Sequence, residues 1–391
     1  MTPRAWFPLI LRAGPAVAAL WLGAPAADAS GEGETVLDVR ENAPSSSRAC
    51  QACHVDIYAA WSRSLHAVSL RNETFLDSYA LARSAYGAAE SKLCLECHAP
   101  FASHLDDEGL FQAISWEGVG CDYCHSFTSV EQVGGNYRAV VAAGGPKMGP
   151  IADAEEIGHE VAYSPLHEQS LTCAPCHEYV NPAGVKVLST YTEWLESPQA
   201  GRGENCQTCH MAEVRANVVD PKVARLESIP VNLHEMPGGH STSTLNRAIH
   251  VSMRPERDGH GVTVNLTLEN RGAGHMVPTG AASRRIELEL VAEVEGGQRY
   301  EETRSYGRVL GDEKGEAVLQ DSRLFLETSQ VLEDTRIAPG ESREEVFRFP
   351  AASGRTVQLR LRLSYAHRPF GTDERETRIV WHSLNRTIRG T

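Results

Sequence analysis

Aromatic side chains are few, 7% of 391 residues. Past the first thirty residues, no apolar run approaches the ~18 that a membrane-spanning helix needs. That excludes stable membrane insertion of the mature chain. Basic charge is in deficit: 37 Lys and Arg stand against 51 Asp and Glu, for a formal net charge of -14. A chain this acidic is a poor partner for nucleic acid or an anionic membrane surface, and suits basic protein partners. Methionine is scarce at six residues. No cysteine falls outside a C-x-x-C spacing.

The chain opens with the pattern of a secretory signal peptide over residues 1–29. Arg4 and Arg12 give a basic start, "AGPAVAALWLG" is a short apolar stretch, and "AADA" ends at Ala29 as a cleavage site. The expected location is the periplasm, with an extracellular or outer-membrane-associated position as an alternative. The first cysteine, Cys50, lies far past that point, which argues against a lipid-anchored N-terminal cysteine.

The ten cysteines form five pairs: Cys50/Cys53, Cys94/Cys97, Cys121/Cys124, Cys173/Cys176 and Cys206/Cys209. Each pair is followed directly by a histidine, His54, His98, His125, His177 or His210. With 16 histidines in the chain, five such followers by chance are on the order of one in ten million. C-x-x-C-H is the attachment pattern of haem c. Two cysteine sulfurs bond the porphyrin vinyl groups, and the next residue offers an imidazole to the iron. Disulfides suit an exported chain but do not explain the histidine. Zinc sites pair C-x-x-C units without histidine at one fixed offset. The expected cofactors are five covalently bound haem c groups.

All five motifs lie between residues 50 and 210, so about 40 residues serve each haem. That is too little protein to build a separate apolar core around each, and the porphyrins themselves are expected to be the core. The spacing predicts a helix in "VDIYAAWSRSLHAVSL" (55–70), with Ile57, Trp61, Leu65 and Val68 on one face. Pro198 reads as a helix stop. Beyond about residue 246 the period changes to two. Val262, Val264, Leu266 and Leu268 alternate with polar residues, as do Ile286, Leu288 and Leu290, and Val357, Leu359, Leu361 and Leu363. "APGE" (338–341) marks a turn before the strand "EVFRF". The expected fold class is multidomain. A mainly helical and loop haem-packed domain (30–245) precedes an all-β immunoglobulin-like sandwich (246–391).

Histidine is the commoner candidate for the sixth ligand of each iron. His66 lies twelve residues after His54, about 18 Å along a helix, too far to share its iron, so it is expected to ligate a neighbouring haem. His104 and His167 lie close in sequence to motifs and are candidate distal ligands. At least one of His234 and His240 is expected to ligate. His275 stands in "ENRGAGHMVPTG" of the β half. Gly272, Gly274 and Gly280 allow a close approach there and Pro278 stiffens the exit, so His275 is expected to reach back and ligate one haem. His159, His250, His260, His367 and His382 read as ordinary surface or strand histidines.

"CQACHVDIYAAWSRSLHA", "LCLECHAP", "EGVGCDYCH" and "EWLESPQAGRGENCQTCHM" resemble motifs of cytochrome c-554-type multihaem cytochromes and of the wider group containing hydroxylamine oxidoreductase. The resemblance spans roughly residues 45–245. It implies a mostly helical domain with closely stacked haems, electron transfer in the periplasm, and a ligand role for His66. Five motifs and an added β-domain depart from the tetrahaem and octahaem members. The function expected is electron carriage between redox partners: cytochromes, quinol-linked complexes or outer-membrane complexes. The alternative is an oxidoreductase acting on a small nitrogen or sulfur species at one open-coordinate haem. A third reading makes the β-domain a docking module. Pentahaem nitrite reductases replace the motif histidine by lysine at the catalytic haem; here all five motifs carry histidine.

Overall fold

A computed structural model describes residues 43–390; the signal-peptide segment lies outside the described residues. The N-terminal half is built of short helices. α1 (Ser47–Gln51), α2 (Val55–Ser62), α3 (Glu73–Tyr86), α4 (Ala88–His98), α5 (Pro100–His104) and α6 (Cys121–Cys124) precede α7 (Ala174–His177), α8 (Thr190–Leu195), α9 (Pro198–Gly201) and α10 (Cys206–His210). Each end has a local cause. Asn72 caps α3 by accepting from the backbone amides of Thr74 and Phe75, and Gly87 ends it with a φ of 91°. α2 stops at Ser62, short of the span expected from periodicity. Ser64 turns inward there and accepts from the Ala67 amide, so His66 sits in a turn. Pro198 does not merely stop α8. It takes the first position of α9, behind the Ser197 cap.

Four two-stranded ladders join these helices, where the sequence pattern suggested loops. They are β1 (Phe127–Val133) with β2 (Asn136–Val141), β3 (Lys147–Gly149) with β4 (Val161–Tyr163), β5 (Glu178–Val180) with β6 (Lys186–Ser189), and β7 (Glu213–Ala216) with β8 (Ile229–Asn232). Chain that wraps a large interior without entering a helix must pair its amides and carbonyls somewhere, and these ladders do so.

α11 (Thr242–Ala248) leads into the β-rich half: β9 (Ile249–Arg257), β10 (Gly261–Asn270), β11 (Arg284–Val294), β12 (Gln298–Gly311), α12 (Asp321–Glu327), β13 (Gln330–Asp334), β14 (Ser342–Pro350), β15 (Val357–His367) and β16 (Thr377–Ile388). One sheet has the order β14-β10-β9 and the other β13-β12-β11-β15-β16, and all their pairings are antiparallel. Strict alternation puts Val262, Val264, Leu266 and Leu268 of β10 in the same buried cluster as Ile286, Leu288, Leu290, Leu359, Leu361 and Leu363. The two sheets therefore share one dry core.

Residues of both halves belong to one compact unit. Val187 of β6 packs with Leu310, Val318 and Leu324. Arg336 lies between its carboxylate partners Glu193, 2.6 Å away in the N-terminal half, and Asp334, 2.7 Å away.

Candidate haem cavity

Two cysteines three residues apart on a helical turn point the same way, and the next residue falls just below them. α6 spans Cys121–Cys124, α10 spans Cys206–His210, α4 ends on His98 and α7 on His177. None of the ten cysteines is in a disulfide. All fifteen motif residues line one continuous cavity of about 1410 Å³. A single small-molecule pocket is about 300–1,000 Å³. Across it a thiol of another motif pushes protonation up at three cysteines: Cys121 at Cys50, Cys97 at Cys176 and Cys206 at Cys173. The motifs are neighbours around one space.

Four of the five motif histidines are held through one nitrogen. Nδ1 meets a backbone carbonyl in His54 (Val218, 2.8 Å), His98 (Ser69, 3.3 Å), His125 (Met148, 2.6 Å) and His210 (Pro237, 2.7 Å). This fixes the tautomer and leaves Nε2 facing the cavity. Burial pushes protonation of His98 and His125 down to about 4 and of His177 down to about 3. These three imidazoles are therefore neutral, the form that binds a metal.

An imidazole nitrogen binds a transition metal at about 2 Å and lies about 1 Å from its ring centre, so two histidines on opposite sides of one iron hold their ring centres about 6 Å apart. Four such pairs are present: His54–His159 at 6.1 Å, His66–His177 at 6.2 Å, His125–His234 at 6.1 Å and His210–His275 at 6.2 Å. The non-motif members repeat the Nδ1 anchor: His159 on Glu160 O (2.9 Å), His234 on Asn232 O (2.8 Å) and His275 on Met276 O (2.8 Å). The Nδ1 of His66 is buried without a partner.

The other candidates are placed differently. His167 is 5.7 Å from His125; its Nε2 meets the Cys124 carbonyl at 2.9 Å and its Nδ1 is buried without a partner, whereas His234 is anchored through Nδ1 like His159 and His275. His104 is exposed, packs its ring on Phe101 at 6.4 Å and does not line the cavity. His240 lines the cavity, with its ring against Tyr365 at 5.6 Å. His159, read from the sequence as ordinary, faces a motif histidine. Its only sequence signal is the sheer surplus of histidine. His98 has no histidine opposite it among the described residues; Phe75 stacks on its face at 4.0 Å.

The His275 loop is fixed from both halves. Asn270, fully buried, donates to the carbonyls of His275 (2.9 Å) and Ile337 (3.0 Å). Glu193 accepts from the Met276 amide at 3.1 Å and the Thr279 hydroxyl at 2.7 Å. Burial pushes the Glu193 carboxyl up, but Arg336, Thr279 and Ser189 outweigh it and hold it below the usual carboxylate range. A side chain at Gly274 would meet Gln199 at 3.0 Å and Trp194 at 3.3 Å.

Residues 49–126, which carry the first three motifs, match the family model described as cytochrome c554 and c-prime. Among solved structures, the chain resembles a penta-heme cytochrome c552 from Thermochromatium tepidum. The TM-score is 0.69 at 23% identity, over 88% of this chain and 99% of that one. Such coverage requires both halves of the chain. No curated protein matches. Together the matches support a multihaem c-type cytochrome.

Proposed function

We propose that the chain is an exported pentahaem c-type cytochrome that passes electrons between redox proteins. The observation that carries this is the set of four histidine pairs at 6.1–6.2 Å around one cavity lined by all five C-x-x-C-H motifs. Cys50/Cys53, Cys94/Cys97, Cys121/Cys124, Cys173/Cys176 and Cys206/Cys209 attach five haem c groups. His54, His98, His125, His177 and His210 are the proximal ligands. His159, His66, His234 and His275 are the distal ligands of the haems of His54, His177, His125 and His210. Covalent haem supplies one-electron chemistry. The protein keeps the His98, His125 and His177 imidazoles neutral by burial and orients His54, His98, His125 and His210 on backbone carbonyls. Bis-histidine ligation favours lower potentials than histidine–methionine ligation. Residues 30–245 are the haem domain, with kinship to the cytochrome c-554 and hydroxylamine oxidoreductase group, and 246–391 an immunoglobulin-like sandwich; the two-sheet core supports the latter division. The periplasm is the proposed location, and basic cytochromes are the partners that fit the acidic charge.

The test is mass spectrometry of denatured protein with magnetic circular dichroism of the native form. Five haems retained per chain and at least four low-spin bis-histidine centres are expected, with reduction spread over several potentials. A mass for fewer haems, or histidine–methionine spectra, overturns the reading.

A further inference from the structure

Two of the carbonyls that orient motif histidines come from stretches that also carry a histidine facing a different motif. His66 faces His177 at 6.2 Å. Three residues on, the Ser69 carbonyl accepts from His98 Nδ1 at 3.3 Å. His234 faces His125 at 6.1 Å. Three residues on, the Pro237 carbonyl accepts from His210 Nδ1 at 2.7 Å. Residues 66–69 and 234–237 thus each reach two motif histidines at once.

Both stretches are stiff, for local reasons. The Ser69 hydroxyl lies 2.9 Å from the His66 carbonyl and 2.7 Å from the His98 carbonyl, and it shares its one proton between them. The Val119 amide donates to the same His66 carbonyl at 3.0 Å. Gly118, at a φ of 69°, passes so close that any side chain there would strike the His66 carbonyl and the Ser69 hydroxyl. On the other stretch, His234 Nδ1 bonds the Asn232 carbonyl at 2.8 Å. Asn232 pairs with Glu213, which opens β7 just past His210. Met236 is held at a φ of 44°, a left-handed conformation that costs a residue other than glycine free energy. The ring of Pro237 then fixes the next φ, and with it the direction of the carbonyl. Such strain persists where the surroundings over-determine a residue. Here two demands meet: His234 must face His125, and the Pro237 carbonyl must face His210.

We propose that Ser69 and Pro237 are positioning residues that tie irons together in pairs, the haems of His177 and His98 through residues 66–69 and the haems of His125 and His210 through residues 234–237. A bond from Nδ1–H to a carbonyl makes an imidazole a stronger donor to its iron, which favours the oxidised state. When the distal histidine of one haem shifts, the acceptor on which the other haem's imidazole leans shifts with it. Linkage makes the effect mutual. Neither stretch supplies a ring or a carbonyl to the His54–His159 pair, whose acceptors are Val218 and Glu160. The proposal rests on the five haems and the ligand pairs proposed above.

The experiment is a potentiometric titration of the intact holoprotein, with electron paramagnetic resonance to follow each low-spin centre. Ser69→Ala is expected to raise two of the five potentials, by about tenfold in each oxidised-to-reduced equilibrium, or about 59 mV. The g-values of the same two centres shift with them. Ser69→Thr, which keeps the hydroxyl, restores both. Pro237→Gly is expected to raise two other potentials, and the double variant four, with the haem of His54 unmoved. Should Ser69→Ala lose haem, Pro237→Gly carries the comparison by itself. One potential moved per variant means that each residue tunes a single histidine, and overturns the pairing. Five unmoved potentials, or five shifted alike with a lower denaturation midpoint, overturn the positioning role. A wild-type mass for fewer than five haems, or fewer than four bis-histidine centres, overturns the ligand reading beneath the proposal instead.

Discussion

In the C-terminal half twenty-six buried residues form one cluster, from Leu245 to Trp381. Among the described residues, the largest such cluster in the N-terminal half has five, Leu70, Tyr79, Leu95, Ala99 and Ala102, and the space where a core belongs is the cavity of about 1410 Å³. The same chain thus hides from water in two ways. Strands with period-two patterning close on each other and need nothing else. Short helices carrying C-x-x-C-H enclose something that the polypeptide does not supply. The difference teaches that a low content of core-filling side chains can itself be a folding instruction, one that names a cofactor as the missing material.

The sharpest way to break this comparison is to withhold the haem. In a chain with all ten motif cysteines replaced by alanine, hydrogen exchange is expected to find residues 47–245 unprotected and β10, β11 and β15 still protected. Protection retained in α3 and α4 would mean that the five-residue cluster is core enough. Next in size is Arg336→Ala, which strands Glu193 and Asp334. Loss of one partner of a buried ion pair costs about 3–5 kcal/mol, read as a lower denaturant midpoint in both far-ultraviolet and haem signals, since Glu193 also holds the His275 loop. An unchanged haem signal would show that the two halves are held by other contacts. Leu361→Ala, fully buried in β15, is expected to cost about 2–5 kcal/mol in the β signal alone, with haem spectra intact below the transition. A shift of equal size in both signals would make the halves one cooperative unit.

The five attachment motifs were legible because covalent chemistry demands fixed spacing, and the strands because alternation is local. The histidines proposed as second ligands were legible only in part. His275 stood out through its glycines, and His66 through its distance from His54. His159 did not, because nothing near it distinguishes a ligand from a surface residue; it is brought to His54 by β4 pairing in parallel with β3. His104 misled for the opposite reason: nearness in sequence to His98 places it on α5, facing away from the cavity. Asp321 and His367, 3.1 Å apart, carried no signal, because their contact joins α12 to the end of β15.

In every facing pair, the second histidine of the two arrives long after the first, sixty-five residues later for His210–His275 and about a hundred for the others. With the ligation proposed here, each of these four irons closes a loop, and the loops 54–159, 66–177, 125–234 and 210–275 overlap like links in mail. A chain emerging N-terminus first carries early haems whose far side stays bare until distant sequence follows. Maturation must shelter them during that interval. Once the last link shuts, cutting or loosening the polypeptide at one point leaves its ends tethered through neighbouring links, so proteolytic nicks between Cys53 and His275 are expected to leave fragments that travel together.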